Sequence, residues 1–144
     1  MDIIVEEAIR ILEDSARYNP FTISSPDDTK KFLRLKLAHL EHEVFAVIFL
    51  DNRHQTIKYE EMFRGTIDGA SVYPREVVKR SLQLNAAAII IAHNHPSGVT
   101  EPSNADEAIT HRIKDACALV DIRLLDHVIV SLTESTSLAE RGVL

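Results

Sequence analysis

The chain has a single cysteine, no tryptophan and only four glycines. The lone thiol, Cys117, excludes an internal disulfide and a cysteine-based zinc finger, and suits a reducing compartment. With so few glycines, no phosphate-cradling Gly-rich loop is present. No apolar run approaches the ~20 residues that a bilayer-spanning helix needs, so no membrane segment is expected. The start, Met1-Asp2-Ile3-Ile4-Val5-Glu6-Glu7, is acidic where a secretion signal requires a basic region, and the expected location is the cytoplasm. Basic excess is missing as well. The net charge of −6 weighs mildly against sequence-independent nucleic-acid binding, which draws its affinity from basic surface, although a local basic patch stays compatible with it. Repeats, low-complexity segments and linkers are absent. What is there, 144 residues of which 45% are apolar, is enough for one globular domain with a real core.

Apolar periodicity divides this domain into helices and strands. Ile3, Ile4, Ala8, Ile11 and Leu12 fall at helical spacing and predict an amphipathic helix over about residues 2–17, ended by Asn19-Pro20. Ser24-Ser25-Pro26-Asp27-Asp28 opens a second helix with a serine cap and proline at its first position. It runs to about His39 with Phe32, Leu33, Leu37 and Leu40 on its apolar face. Val44–Leu50 is a strongly apolar strand, Asp51–His54 its turn, and Gln55–Phe63 its hairpin partner, with a bulge at Glu60-Glu61. Gly65–Val72 reads as loop. Pro74 starts a helix to about Leu84, with Val77, Val78, Ser81 and Leu82 facing inward. The Ala86–Ala92 strand, a His-rich loop, a helix over Ser103–Leu119, a strand over Leu124–Ser131 and a short turn or helix at Ser137–Arg141 complete the chain. Strands alternating with helices, with flat apolar strands in the middle, predict an α/β or α+β sheet covered by helices.

The chemistry concentrates in His93-Asn94-His95-Pro96-Ser97-Gly98, followed by Ser103 and Asp106. Side chains two apart on an extended strand share a face, so His93 and His95 can present two imidazoles to one point. Asp106, at the start of a helix, can bring a carboxylate to the same point. Two imidazoles and one carboxylate suit zinc and leave a fourth position for water, which separates a catalytic site from a structural one. Ser103-x-x-Asp106 also reads as a helix cap with an acidic residue three positions on, and one hydroxyl can serve both roles. Hydrolysis further needs a base to carry a proton to the leaving group. Glu43, at the start of the Val44–Leu50 strand, fits; Glu41 competes, and Glu60 and Glu61 fit a solvated surface better. His111 lies five residues beyond Asp106 and shares no helix face with it. Asp126-His127 reads either as an outer carboxylate orienting a metal-bound imidazole or as a hydrogen-bonded polar pair at a sheet end, with the second favoured. Cys117 reads as a small core residue. Arg75 and Lys79-Arg80 could meet an anionic partner but read more simply as a solvated helix face. No Gly-x-Ser-x-Gly elbow surrounds Ser97. The chain has neither a His-Glu-x-x-His helix nor the Pro-Cys-x-x-Cys set of base deaminases.

The combination of His93-x-His95, seven residues, Ser103, two residues and Asp106, with a glutamate upstream on a strand, resembles the JAMM/MPN metalloprotease motif. Phe63-Arg64-Gly65-Thr66, Tyr73–Val78, Asn85–Ala88, Ala92–Gly98 and Leu125-Asp126-His127 resemble the RadC family of JAB-domain proteins. The likeness covers about residues 25–144 and leaves 1–24 as an N-terminal helical extension. It implies a JAB/MPN, deaminase-like α/β domain with a mixed sheet flanked by helices. It also implies one zinc per chain held by His93, His95 and Asp106, Glu43 as general base and Ser103 stabilising the oxyanion. Ala46 stands where the motif has glycine, a departure compatible with the RadC branch. Longer RadC proteins carry a helix-hairpin-helix region that is not seen here, and the chain resembles the short forms of prophages and plasmids.

Two functions of different class follow. The first is a zinc metallopeptidase or isopeptidase acting on a peptide or isopeptide of unknown identity. The second is a DNA-repair or mobile-element accessory module that binds a partner without hydrolysing it. A third reading keeps the metal-dependent hydrolysis but not the amide. Substrate choice would lie in the loops Thr66–Val72 and Val99–Pro102, and an exposed strand edge is compatible with a homodimer.

Overall fold

A computed structural model describes residues 2–18, 25–65 and 72–144, with the side chains of 12–18 outside the description. Among the described residues, four helices and five strands follow in order. They are α1 (Ile3–Tyr18), α2 (Pro26–Leu37), β1 (Val44–Leu50), β2 (Thr56–Arg64), α3 (Pro74–Gln83), β3 (Ala88–Asn94), α4 (Asn104–Ala118), β4 (Arg123–Val130) and β5 (Ser135–Ser137). The Asn19-Pro20 stop, Ser24 and the loop at 66–71 lie outside the described residues. No described helix is long and apolar enough to cross a membrane.

The sheet runs β2-β1-β3-β4-β5. Only β3 and β4 pair in parallel; the other neighbours are antiparallel. A parallel pair needs a crossover, and α4 supplies it. The chain is therefore one α/β domain with a mixed sheet flanked by helices, a JAB/MPN-type fold.

The central strands β1 and β3 are buried along their whole length because both faces of the sheet are covered. On one face Phe32, Leu33 and Leu37 of α2 pack on Ala46, Ile48, Leu50, Ile90 and Ala92. On the other, Val77 of α3 and Ile109, Ile113 and Cys117 of α4 pack on Phe45, Val47, Phe49, Ile89 and Ile91. Alternate residues of one strand thus feed opposite layers. Ala46, at the motif's glycine position, is fully buried against the α2 layer.

The ends of the helices follow local chemistry. Ser25 caps α2, its Oγ accepting from Asp28 N at 3.3 Å, with Pro26 in the first turn. α2 stops at Leu37, two residues before the expected end at His39. Three further expectations are corrected. The extra residues of the β1–β2 ladder are Met62 and Ile57 rather than Glu60-Glu61, since Phe45 faces Phe63 while Ala46 faces Glu61, and Phe49 faces Lys58 while Leu50 faces Thr56. Leu82 points outward, 51% exposed, whereas Val77 and Ser81 are buried. Ser135–Ser137 forms an edge strand with β4, and the turn follows from Leu138.

Candidate metal centre

The register of the sheet sets up the site. Phe63, Phe45, His93 and Ile129 stand opposite one another on β2, β1, β3 and β4, so their side chains share the face that α3 and α4 cover. His93 is the last inward-facing residue of β3, and His95, two residues on, leaves the strand on the same side. Phe45 packs flat on the His93 ring at 6.2 Å between centroids and edge-on to His127 at 5.8 Å. The third group comes from α4. Ser103 is its N-cap and Asp106 its third residue, joined in a reciprocal capping box. Asp106 N donates to Ser103 Oγ at 3.0 Å, and Ser103 N donates to Asp106 Oδ2 at 2.8 Å. Carboxyl ends of parallel strands facing a helix N-terminus are where α/β sheets place ligands.

The three side chains converge. His93 Nε2 lies 2.8 Å from His95 Nε2, 3.2 Å from Asp106 Oδ1, and His95 Nε2 lies 3.4 Å from Asp106 Oδ2. Tetrahedral zinc, with bonds of about 2.0–2.1 Å, separates its ligand atoms by about 3.3 Å. The observed separations bracket that figure, and the donor set can hold a divalent metal such as zinc. The chemistry of the donors agrees. His95 Nδ1 sits 2.7 Å from the Val99 carbonyl, which only accepts, so the ring donates there and its Nε2 keeps a lone pair for the site. Two imidazole nitrogens and a carboxylate pointed at one spot are acceptors in need of a cation.

Electrostatics reflect the same need. Burial alone would push the Asp106 carboxyl up, but the His93 and His95 imidazoles beside it hold it well below the usual carboxylate range. The Asp106 carboxylate beside it raises His95 against the opposing effect of burial, helped by Val99 and by the charge of Glu43. Glu43, half-buried one residue before β1, contributes the smallest of these raising effects. Glu41 is exposed and lines a cleft with Leu40, His95, Pro96 and Leu132.

Two buried residues do more than a reading by sequence assigns to them. Asn94, between the two histidines, turns to the opposite side of β3. Its Oδ1 accepts from Val44 N at 2.7 Å and its Nδ2 donates to the His42 and Leu40 carbonyls at 2.9 and 3.3 Å. That clamp fixes the segment carrying Glu43 to the strand carrying the histidines. The second is His127. The Asp126-His127 pair divides into two roles. Asp126 is the structural knot: it accepts from Ser137 Oγ (2.5 Å), His127 N (2.7 Å) and Ala139 N (3.0 Å), and burial pushes its carboxyl up despite these bonds. His127 is no sheet-end residue. It is fully buried beneath His93, its Nε2 2.8 Å from His93 Nδ1, and burial holds it well below an ordinary histidine. The outer partner of the metal-side imidazole is thus a second imidazole and not a carboxylate. His111 is exposed on α4, Cys117 is buried, and Arg80 is engaged by Glu60 at 3.1 Å.

A mixed sheet ending in a His–His–Asp set capped by the helix that follows defines a JAMM/MPN-type metalloenzyme scaffold. Comparison with known proteins agrees. The family model of the RadC-like JAB domain matches residues 23–143. The chain is 65% identical over 122 residues to a UPF0758 protein of Thioalkalivibrio sulfidiphilus, 58% over 144 residues to one of Halorhodospira halophila, and 59% over 140 residues to one of Vibrio cholerae. These alignments cover 85%, 100% and 96% of this chain. The chain belongs to the RadC-like JAB-domain family. It spans 54% and 64% of the length of the first two relatives and 87% of the third.

Proposed function

We propose that this domain is a zinc-dependent hydrolase of the metallopeptidase or isopeptidase type, cleaving an amide bond whose carbonyl is presented over His93, His95 and Asp106. One observation carries the reading: two imidazole nitrogens and a carboxylate oxygen, ligand types that suit zinc, lie within 4.8 Å of one another, with His95 lining a cleft. Bound there, zinc would polarise the carbonyl and lower the pKa of a water to near neutrality. The protein's own residues then divide the work. His93 and His95 through Nε2, with the Asp106 carboxylate, would hold the metal. Glu43, fixed by the Asn94 clamp, takes a proton from the attacking water and returns it to the departing amine as the carbon–nitrogen bond breaks. The Ser103 hydroxyl uses a lone pair to cap α4, so its proton is free to be donated to the carbonyl oxygen as negative charge develops there.

The test is Glu43→Gln. The variant is expected to bind zinc like the parent and to lose hydrolysis of peptide or isopeptide substrates by about 10²–10⁴-fold. Unimpaired hydrolysis removes Glu43 from the mechanism. A zinc-loaded protein that cleaves neither kind of bond, yet binds DNA in a salt-sensitive manner after chelation, replaces the hydrolase by a DNA-associated accessory module.

A further inference from the structure

A histidine that ligates a metal through Nε2 must carry its proton on Nδ1, and something must hold it there. For His95 the Val99 carbonyl suffices, because a carbonyl only accepts. For His93 the neighbour is another imidazole, and an imidazole can donate or accept depending on its tautomer. His127 Nε2 lies 2.8 Å from His93 Nδ1. Were His127 protonated on Nε2, it would donate to His93 Nδ1, force the His93 proton onto Nε2 and block the ligand position. The ambiguity has to be resolved one step further out.

Thr110 resolves it. Its hydroxyl lies 2.6 Å from the Asp106 carbonyl and 2.5 Å from His127 Nδ1. A hydroxyl has one proton, and a carbonyl accepts only. The Thr110 proton is therefore committed to Asp106 O, and its oxygen must accept from His127 Nδ1–H. Nε2 of His127 is then an acceptor, His93 Nδ1–H donates to it, and His93 Nε2 presents a lone pair to the site. Thr110 and His127 are both fully buried, so water offers neither an alternative partner. The chain of bonds also closes on itself. It begins at one metal-side residue, His93 on β3, and ends at the backbone of another, Asp106 on α4. Phe45 packs against both imidazoles and holds their planes.

We infer that Thr110 and His127 form a tautomer lock, two positioning residues that preset His93 for metal through a one-way relay of hydrogen bonds that ends on the Asp106 carbonyl. The inference rests on the His93–His95–Asp106 set binding a metal, not on hydrolysis. Its first readout needs no metal at all. Long-range ¹H–¹⁵N spectra of the imidazoles in the metal-free full chain are expected to show His127 protonated on Nδ1; protonation on Nε2 overturns the lock whatever the zinc affinity. The second readout is zinc affinity by chelator competition. His127→Leu, which removes the acceptor, is expected to lose roughly 10–100-fold, the range for an outer partner of a metal-bound histidine. His127→Gln, whose amide oxygen can accept from His93 Nδ1–H, is expected to recover most of it. Thr110→Val should lose affinity and mix the His127 tautomers, while Thr110→Ser keeps both. A merely structural role predicts equal losses for Leu and Gln, and for Val and Ser; either pattern overturns the proposal, as does a Leu variant that binds zinc like the parent. Should His127→Leu fail to fold, the Thr110 pair and the tautomer of the unaltered protein decide.

Discussion

Ser103 caps α4 and, in the proposed mechanism, also steadies the oxyanion; the two roles differ in energy, so one pair of substitutions separates them. Its Oγ accepts the Asp106 N–H at 3.0 Å, while the reciprocal bond from Ser103 N to the Asp106 carboxylate uses backbone and survives any substitution but proline. Ser103→Ala therefore breaks half of the capping box and should cost about 1 kcal/mol. Unfolding entropy of about 2.1 cal/mol/K per residue over 144 residues gives roughly 0.3 kcal/mol/K, so Tm should fall by about 3 °C. Ser103→Gly should cost only a few tenths of a kcal/mol, because glycine is tolerated at an N-cap. Both variants remove the hydroxyl, and on any amide substrate both should lose about 10²–10³ in kcat if that hydroxyl steadies the oxyanion. Thermal unfolding and steady-state kinetics on the pair are the assay. Alanine and glycine should differ in stability and agree in turnover. Turnover that tracks stability would show a cap and nothing more; an unchanged Tm for alanine would refute the capping argument itself.

Other expectations rest on separate parts of the structure. Asp126→Ala deprives Ser137 Oγ, His127 N and Ala139 N of their acceptor and should cost about 2–4 kcal/mol, with Asp126→Asn losing roughly half as much; a melting shift under about 2 °C would contradict the knot. Burial pushes the Cys117 thiol up to about 11 from an ordinary 9.0. Unfolded chains therefore release this proton first, and stability present below pH 9 should be lost as pH rises toward 11, by about 2–3 kcal/mol. Cys117→Ala should lack this component, measured as the difference between denaturant midpoints at pH 8 and pH 11; identical pH dependence would contradict it.

Much of this protein is legible in its sequence, for reasons that particular residues make clear. Val44–Leu50 and the Ile89-Ile90-Ile91 run are apolar on both faces because both faces are covered, and such runs read as central strands. The spacing from His93 to Asp106 reads because ligand geometry limits where the residues can stand. Ser135–Ser137 is illegible as a strand: Ser-Thr-Ser has no apolar alternation, and the segment pairs with β4 because Asp126 grips Ser137. The Met62 bulge lies one residue beyond the acidic pair that suggested it, since both are compatible with a half-exposed hairpin. The helical period of α1 is correct, yet Ile3, Ile4 and Ile11 are 81%, 78% and 59% exposed, because periodicity reports an apolar stripe and not what covers it. His127 is hidden most deeply. Within Leu124–Val130 it looks like a polar interruption, and only the parallel pairing of β3 with β4 brings it beneath His93.

The measurement that bears most directly on the account is the zinc content of protein purified without a histidine-rich tag, taken beside His95→Ala. The account predicts about one zinc per chain, absent from the variant while its fold persists. No zinc in the parent, and none taken up on reconstitution, would contradict it.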